Sequence, residues 1–126
     1  MKFNICSSLL GFENIKEVQL EKIDDIFMKM VSVEDSNISF TLINPFVLRA
    51  YDFELTTQMQ ELLEATPESN LLILNIVVIQ NPIEDSLINF LAPLIFNTDT
   101  NKAGQLILSD NQKYGIAEKI SDYLTK

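Results

Sequence analysis

The chain has 126 residues, 47% of them apolar, and its 18 acidic and 9 basic side chains give a formal net charge of −9. This length predicts one globular domain that buries roughly two thirds of the surface of its unfolded chain. The sequence has no histidine and one cysteine, Cys6, which excludes a Cys–His nucleophile, a zinc site and an intramolecular disulfide. We expect Cys6 to be a small buried thiol in a strand.

The N-terminal third of the sequence predicts four strands joined by short turns. They cover residues 1–6, 16–23, 26–33 and 38–43, and the second alternates apolar and charged residues as a half-buried strand does. Residues 34–37, Glu-Asp-Ser-Asn, have the chemistry of a turn. This succession favours an antiparallel meander.

The pattern then changes to that of a short helix over residues 55–65. Met59, Leu62 and Leu63 have helical spacing, and either Thr56 or Thr57 can act as the N-cap. Gln60 lies three residues after Thr57, as in a capping box, and Pro67 follows where a helix would end.

Two further strands and a hairpin follow the helix. Residues 70–80 are apolar on both faces, which predicts a central strand. Pro93 precedes a strand at residues 94–96, where its missing N–H costs no ladder hydrogen bond. Residues 97–104 are predicted to be a polar loop and residues 105–109 the returning strand.

The tail, residues 111–126, is predicted to be a helix or a mobile segment. Ile116, Ile120, Tyr123 and Leu124 recur at the spacing of an amphipathic helix. About seven strands and one or two short helices predict a mainly β fold, a small antiparallel barrel-like domain covering residues 1–126.

Charge is unevenly distributed along the chain, because no lysine or arginine occurs between Arg49 and Lys102. The acidic residues of that stretch are Asp52, Glu54, Glu61, Glu64, Glu68, Glu84, Asp85 and Asp99. Such a stretch argues against direct binding of nucleic acid or of an acidic lipid surface. Either it is a solvated surface or it is an acidic face that steers a basic protein partner. The N-terminus lacks the apolar run of a signal peptide, so we expect a cytoplasmic protein.

The acidic doublets do not predict catalysis. Asp24-Asp25, Glu34-Asp35 and Glu84-Asp85 have the character of solvated turns, and no phosphate-binding or nucleophile motif is present. We therefore expect a binding module without enzymatic activity, cofactor or metal. The segment of residues 44–55 is rich in aromatic residues. A loop of this kind more often covers the core than forms an interface. Within it, we expect Arg49 and Tyr51 to point outward, because aromatic and arginine side chains anchor interfaces.

Several motifs occur in the order and spacing of one bacterial family. Residues 8–13, Ser-Leu-Leu-Gly-Phe-Glu, resemble its opening turn, and residues 43–55, which begin Ile-Asn-Pro-Phe, resemble its Val-Asn-Pro-Phe segment with the acidic residues that follow. Residues 74–108 resemble its long signature of a strand, Asn-Leu-x-Ala-Pro, Ile-Asn and Gln-Leu-Ile-Leu, with Phe90 where leucine is common. On these motifs the chain resembles the flagellar assembly factor FliW. The tail matches no motif of that family.

The resemblance implies a small antiparallel barrel without enzymatic activity that binds two proteins. One is CsrA, a dimeric RNA-binding translational repressor, and the other is flagellin. FliW that holds CsrA releases the flagellin messenger for translation, whereas accumulated flagellin occupies FliW and frees CsrA to repress. The family acts on CsrA away from its RNA-binding surface, by an allosteric or partly steric route.

Three interpretations of the function follow. The first is a FliW-type CsrA antagonist, the second a flagellin or secretion chaperone without CsrA antagonism, and the third a carboxylate enzyme, which the sequence disfavours. We expect a monomer that contacts its partners through Arg49, Tyr51, Asp52, Glu54, Asn97, Asp99 and Lys102. We expect a shape-determining role for Gly11, Phe12, Asn44, Pro45, Phe46, Asn89, Ala92 and Pro93.

Overall fold

The computed structural model describes residues 1–109 and 113–123, and these form a mainly β domain. The strands are β1 (Lys2–Ser7), β2 (Glu17–Lys22), β3 (Phe27–Ser32), β4 (Ser39–Ile43), β5 (Leu71–Val78), β6 (Leu87–Ile88), β7 (Leu94–Asn97), β8 (Lys102–Gln105) and β9 (Glu118–Lys119). One α-helix, α1 (Thr57–Leu63), and three short 3-10 turns, Pro45–Val47, Ile83–Asp85 and Ile120–Asp122, complete the described part. The predicted fold class is confirmed.

Seven of these strands close into a barrel. Their order is β4-β3-β2-β1-β8-β7-β5, and β5 pairs with β4 to complete the ring. β1 to β4 form the predicted antiparallel meander, whereas β1 and β8 run parallel. Closure pairs the edges that an open sheet would expose, and β6 and β9 extend the sheet beside β5.

The barrel wall is buried on both faces along β7. Leu94 and Phe96 of β7 point into the barrel, where Phe96 packs edge-to-face on Phe3 with ring centroids 5.1 Å apart. Ile95, between them, points outward and is covered by α1 through Met59 and Leu63. The strand is apolar on both faces because the helix covers the outer one.

Helix α1 begins where Thr56 caps it. The Thr56 hydroxyl accepts a hydrogen bond from the N–H of Met59 at 3.1 Å, so Thr56 rather than Thr57 is the N-cap. The side-chain amide of Gln60 donates instead to the carbonyl of Leu55, so no capping box forms. The helix ends at Glu64, whose φ of 55° places it in the left-handed region.

Residues 89–93 form an arch between two strands that share one neighbour. β6 and β7 both run antiparallel to β5: Val77 pairs with Ile88, and Leu74 pairs with Leu94. Five residues of the arch therefore lie opposite only two residues of β5. Pro93 closes the arch immediately before β7, where it interrupts no ladder hydrogen bond, as predicted.

Three local predictions were wrong. β8 begins at Lys102 and ends at Gln105, so the predicted loop is shorter and the returning strand lies earlier in the chain. Residues 115–123 do not form the predicted helix, because β9 pairs with β6 and the N–H of Ile120 donates to the carbonyl of Ser86. Residues 110–112 and 124–126, which include Leu124 of the predicted helix, lie outside the described residues. Cys6 lies in β1, as predicted, but it is only half-buried.

Candidate partner-binding surface

All eight acidic residues between Arg49 and Lys102 are exposed, but they do not form one face. β5 separates them, since its eight residues span about 25 Å. Glu84 and Asp85 follow its C-terminal end. Of the other six, Glu61, Glu64, Glu68 and Asp99 lie in α1, just after it or in the turn that bonds its end, and Asp52 and Glu54 lie in the segment that leads into α1. These six carboxylates, Asp52, Glu54, Glu61, Glu64, Glu68 and Asp99, are called the α1 acidic surface.

Hydrogen bonds hold the hairpin turn of β7 and β8 against the end of α1. The fully buried Asn97 donates through Nδ2 to the carbonyl of Leu63 at 2.9 Å, and the Thr100 hydroxyl donates to the same carbonyl at 3.0 Å. Both bonds satisfy a carbonyl that the helix end leaves without an intrahelical partner. Asn97 therefore positions the turn, and its buried side chain is not accessible to a partner.

Asp99 and Lys102 are the accessible members of this hairpin. The Asp99 carboxylate accepts from the backbone N–H of Asn70 at 2.9 Å and from its side-chain amide at 3.1 Å. These two donors lower the pKa of Asp99. Lys102 forms an ion pair with Glu64 at 3.2 Å, so it neutralises part of the α1 acidic surface.

The segment of residues 52–56 crosses the outer face of the barrel outside any helix or strand, and its alternating exposure is that of an extended chain. Exposure alternates along it: Asp52, Glu54 and Thr56 are exposed, whereas Phe53 and Leu55 are half-buried and pack on the cluster beneath α1. A groove of about 430 Å3 separates the segment from residues 106–109 and is called the Phe53 groove. A second groove, of about 490 Å3, lies between the segment, α1 and Pro67.

Tyr51 does not point outward, and that expectation was wrong. Its side chain is only 6% exposed, and its ring lies edge-on to Phe53 and Tyr114, with centroids 5.4 and 4.9 Å away. The hydroxyl donates to the carbonyl of Phe90 and accepts from Asn75. Burial raises the pKa of Tyr51 to about 12.

Arg49 is also mostly enclosed, against expectation. Its guanidinium, with the side chain 19% exposed, lies 4.9 to 5.2 Å from the ring centroids of Phe90, Tyr114 and Tyr123. It donates to the Tyr123 hydroxyl at 3.0 Å and pairs with Glu118 at 3.4 Å. Arg49 thus fastens the C-terminal residues to the barrel.

Three of the residues expected to determine the shape of the barrel, Asn89, Ala92 and Pro93, lie in the arch of residues 89–93. The side chain of Asn89 accepts from the N–H groups of Leu91 and Ala92, both at 3.1 Å, and Ala92 and Pro93 are buried. The N–H of Phe90 donates to the carbonyl of Gly115. Backbone N–H groups of the arch that form no strand pairing are thus satisfied by the Asn89 side chain and by the carbonyl of Gly115.

The two N-terminal motifs have equally clear local roles, with one exception. Asn44 caps the turn Pro45–Val47 by accepting from the N–H of Phe46, and Pro45 is buried. Gly11 turns the chain at a φ of 85°, next to Phe12, which packs on Phe40 with centroids 4.9 Å apart. The exception is the side chain of Phe46, which is 54% exposed.

The described residues contain no group of three or more histidine, cysteine or acidic side chains able to hold a metal ion. Within the same part of the chain, no helix is long and apolar enough to cross a membrane. The two grooves are bordered mainly by carboxylates and partly exposed apolar side chains. Neither groove was foreseen, because each forms between segments distant in sequence; the alternating residues 52–56 were the available signal.

The described residues thus define a small closed β-barrel protein with exposed carboxylates along α1 and the segment before it. The family model described as FliW protein matches residues 2–120 of the chain. Flagellar assembly factor FliW of Sulfurimonas denitrificans is 64% identical over 126 residues and the full length of both chains. The chain therefore belongs to the FliW family of flagellar assembly factors.

More distant relatives and a solved structure agree with this placement. Flagellar assembly factors FliW 2 and FliW 1 of Wolinella succinogenes are 49% and 43% identical, with 98% of this chain and 92% and 98% of theirs covered. A structure titled crystal structure of the flagellar assembly factor FliW has a TM-score of 0.89 at 24% identity, covering 99% of this chain and 87% of that one. At that identity the match establishes the fold.

Proposed function

We propose that this chain is a non-enzymatic regulator of flagellar assembly that binds and antagonises a CsrA-type translational repressor and also binds flagellin. It acts in the cytoplasm as a monomer, without a cofactor and without direct contact with nucleic acid or membrane. Competition between the two proteins for one regulator couples flagellin translation to secretion by mass action. Antagonism is a coupling free energy between the regulator's site on the repressor and the RNA site.

The α1 acidic surface is the observation that carries this proposal. This surface carries six exposed carboxylates. Among the described residues, one cation forms an ion pair with them: Lys102, which contacts Glu64. Such a surface attracts a protein rich in basic residues, as an RNA-binding repressor is, and repels the phosphates of its RNA. Both effects favour release of RNA when the regulator docks.

The contacts belong to the exposed members of the predicted set. Asp52, Glu54, Asp99 and Lys102 contact the partner in this proposal, which their exposure supports, whereas Arg49, Tyr51 and Asn97 act by positioning the segments that carry them. The same surface also suits the alternative function, a flagellin or secretion chaperone without CsrA antagonism. Direct binding separates the two: a chaperone of that kind binds flagellin and leaves CsrA unbound.

Binding of the purified chain to purified CsrA and to purified flagellin, measured by calorimetry, tests the proposal. The chain offers matched variants that each remove two negative charges: Glu61→Gln with Glu68→Gln on the α1 acidic surface, and Glu84→Gln with Asp85→Asn at the far end of β5. At low salt we expect the first pair to weaken CsrA binding about 3- to 10-fold and the second to leave it unchanged. Equal effects would remove the α1 acidic surface from the proposal.

A further inference from the structure

The extended segment 52–56 has backbone groups that no neighbouring strand uses. The N–H and the carbonyl of Asp52 both bond the Tyr114 hydroxyl at 3.0 Å, whereas the carbonyl of Leu55 faces α1 and accepts from Gln60. Polar groups of alternate residues in an extended chain point to the same side. Those of Glu54 therefore face the Phe53 groove with Asp52, and they bond no group in residues 1–109 or 113–123.

The opposite wall of the groove has a similar free edge. The N–H groups of Leu106 and Leu108 donate to the carbonyls of Pro93 and Leu91, so both point toward the arch. The N–H of Ile107, between them, points the other way and bonds nothing in the described part of the chain. β1 does not cover this edge, because its pairing with β8 ends where residue 7 meets residue 104.

The side chains around the groove define what it can accept. Phe53, Leu106 and Leu108 supply its apolar lining, and the carboxylates of Asp52 and Glu54 stand on its rim without an ion-pair partner among the described residues. Lys113 also lines the groove, near Tyr114. At about 430 Å3 the groove falls within the size range of ligand-binding clefts, about 300 to 1,000 Å3.

We infer that the Phe53 groove binds an extended peptide segment of a protein partner as an added strand. The peptide backbone bonds the free groups of Glu54 and Ile107, an apolar side chain packs on Phe53 and Leu108, and a flanking lysine or arginine lies beside Asp52 and Glu54. The inference rests on the proposed function only in that the partner is a protein. The free backbone edge selects an extended segment, and the carboxylates select a basic one.

Amide hydrogen exchange of the full chain tests the inference, with purified CsrA and purified flagellin as probes. Without a partner, we expect the amides of Glu54 and Ile107 to exchange fast, because neither has an acceptor in residues 1–109 or 113–123. On saturation with the partner that uses the groove, we expect exchange at both amides to slow about tenfold or more. Glu54→Lys should weaken that partner's binding about tenfold, whereas Glu84→Lys, at the far end of β5, should leave it unchanged.

The outcomes separate this inference from the proposed function. If a partner binds while both amides exchange as before and Glu54→Lys binds like the wild type, the groove is not its site and the inference is overturned, although the proposed function stands. If neither protein binds, the proposed function fails. The groove is then probed with a synthetic peptide of alternating valine and lysine and with its backbone-methylated form. Slowed exchange with the first peptide alone supports the inference, and no effect from either overturns it.

Discussion

The side-chain amide of Asn75 donates to the Tyr51 hydroxyl at 3.1 Å and to the carbonyl of Asn89 at 2.8 Å, inside the barrel wall. The Tyr51 hydroxyl in turn donates to the carbonyl of Phe90. One network therefore joins β5, the arch and the segment that continues into residues 52–56. It holds in place the segment that carries the carboxylates of Asp52 and Glu54.

Tyr51→Phe should destabilise the fold by about 1 to 3 kcal/mol, because it leaves the buried Phe90 carbonyl without its donor and Asn75 without one acceptor. Denaturant unfolding measures the change. Phe53→Leu, at a half-buried ring without a hydroxyl, is the control and should cost less. A loss below about 0.5 kcal/mol for Tyr51→Phe would mean that the network is not a stabilising feature.

Tyr51 should also make stability fall at alkaline pH. Its pKa is raised by burial to about 12 in the folded chain, against about 10 when unfolded, so folding favours the protonated phenol. The stabilisation is complete below about pH 10 and is lost as pH rises toward 12. Unfolding free energies measured across this range should decline less steeply in Tyr51→Phe. A residual slope is expected from Tyr123, whose pKa burial also raises. Identical slopes in both proteins would contradict the assignment.

Arg49→Ala should release the C-terminal residues from the barrel. It removes a guanidinium that contacts three rings and Glu118, and we expect a loss of about 1 to 3 kcal/mol with faster amide exchange at Ile120. Lys22→Ala, which breaks an exposed ion pair with Asp25, is the matched control and should change stability by less than about 0.5 kcal/mol. Equal effects of the two variants would show that Arg49 does not fasten this segment.

Gly104→Ala should strain the parallel pairing of β1 and β8. A Cβ at Gly104 would lie 2.8 Å from the Cβ of Ser7, which is closer than such atoms approach. We expect destabilisation of about 1 to 3 kcal/mol. Adding Ser7→Gly removes the opposing Cβ and should restore part of the loss, which thermal unfolding of the single and double variants would reveal. No recovery in the double variant would place the strain elsewhere.

The strands and α1 were predictable because their sequence periods are local. Alternation along β2 and the capping threonine at residue 56 each need only neighbours in the chain. The helix predicted for the tail was wrong for the opposite reason. The spacing of Ile116, Ile120 and Tyr123 suits a helix, but β9 pairs with β6, which lies about thirty residues earlier in the chain. Long-range pairing overrode a local period.

The composition of the candidate surface could be read from the sequence, but the position of its residues could not. The acidic stretch was visible in the sequence, but its division between the two ends of β5 depends on how the chain folds. Tyr51 and Arg49 were expected outside, since aromatic and arginine residues anchor interfaces. The same chemistry equally suits a buried hydroxyl network and a guanidinium enclosed by rings, and no local pattern distinguishes these uses.

The most direct test of the central proposal is a titration of the purified chain into CsrA bound to a labelled flagellin leader RNA, with and without flagellin. The proposal predicts release of RNA, reversal by flagellin, and release that weakens steeply with added salt. Release with a flat salt dependence would remove electrostatics from the mechanism. No release, in a preparation that binds flagellin, would contradict antagonism of the repressor and leave a flagellin chaperone.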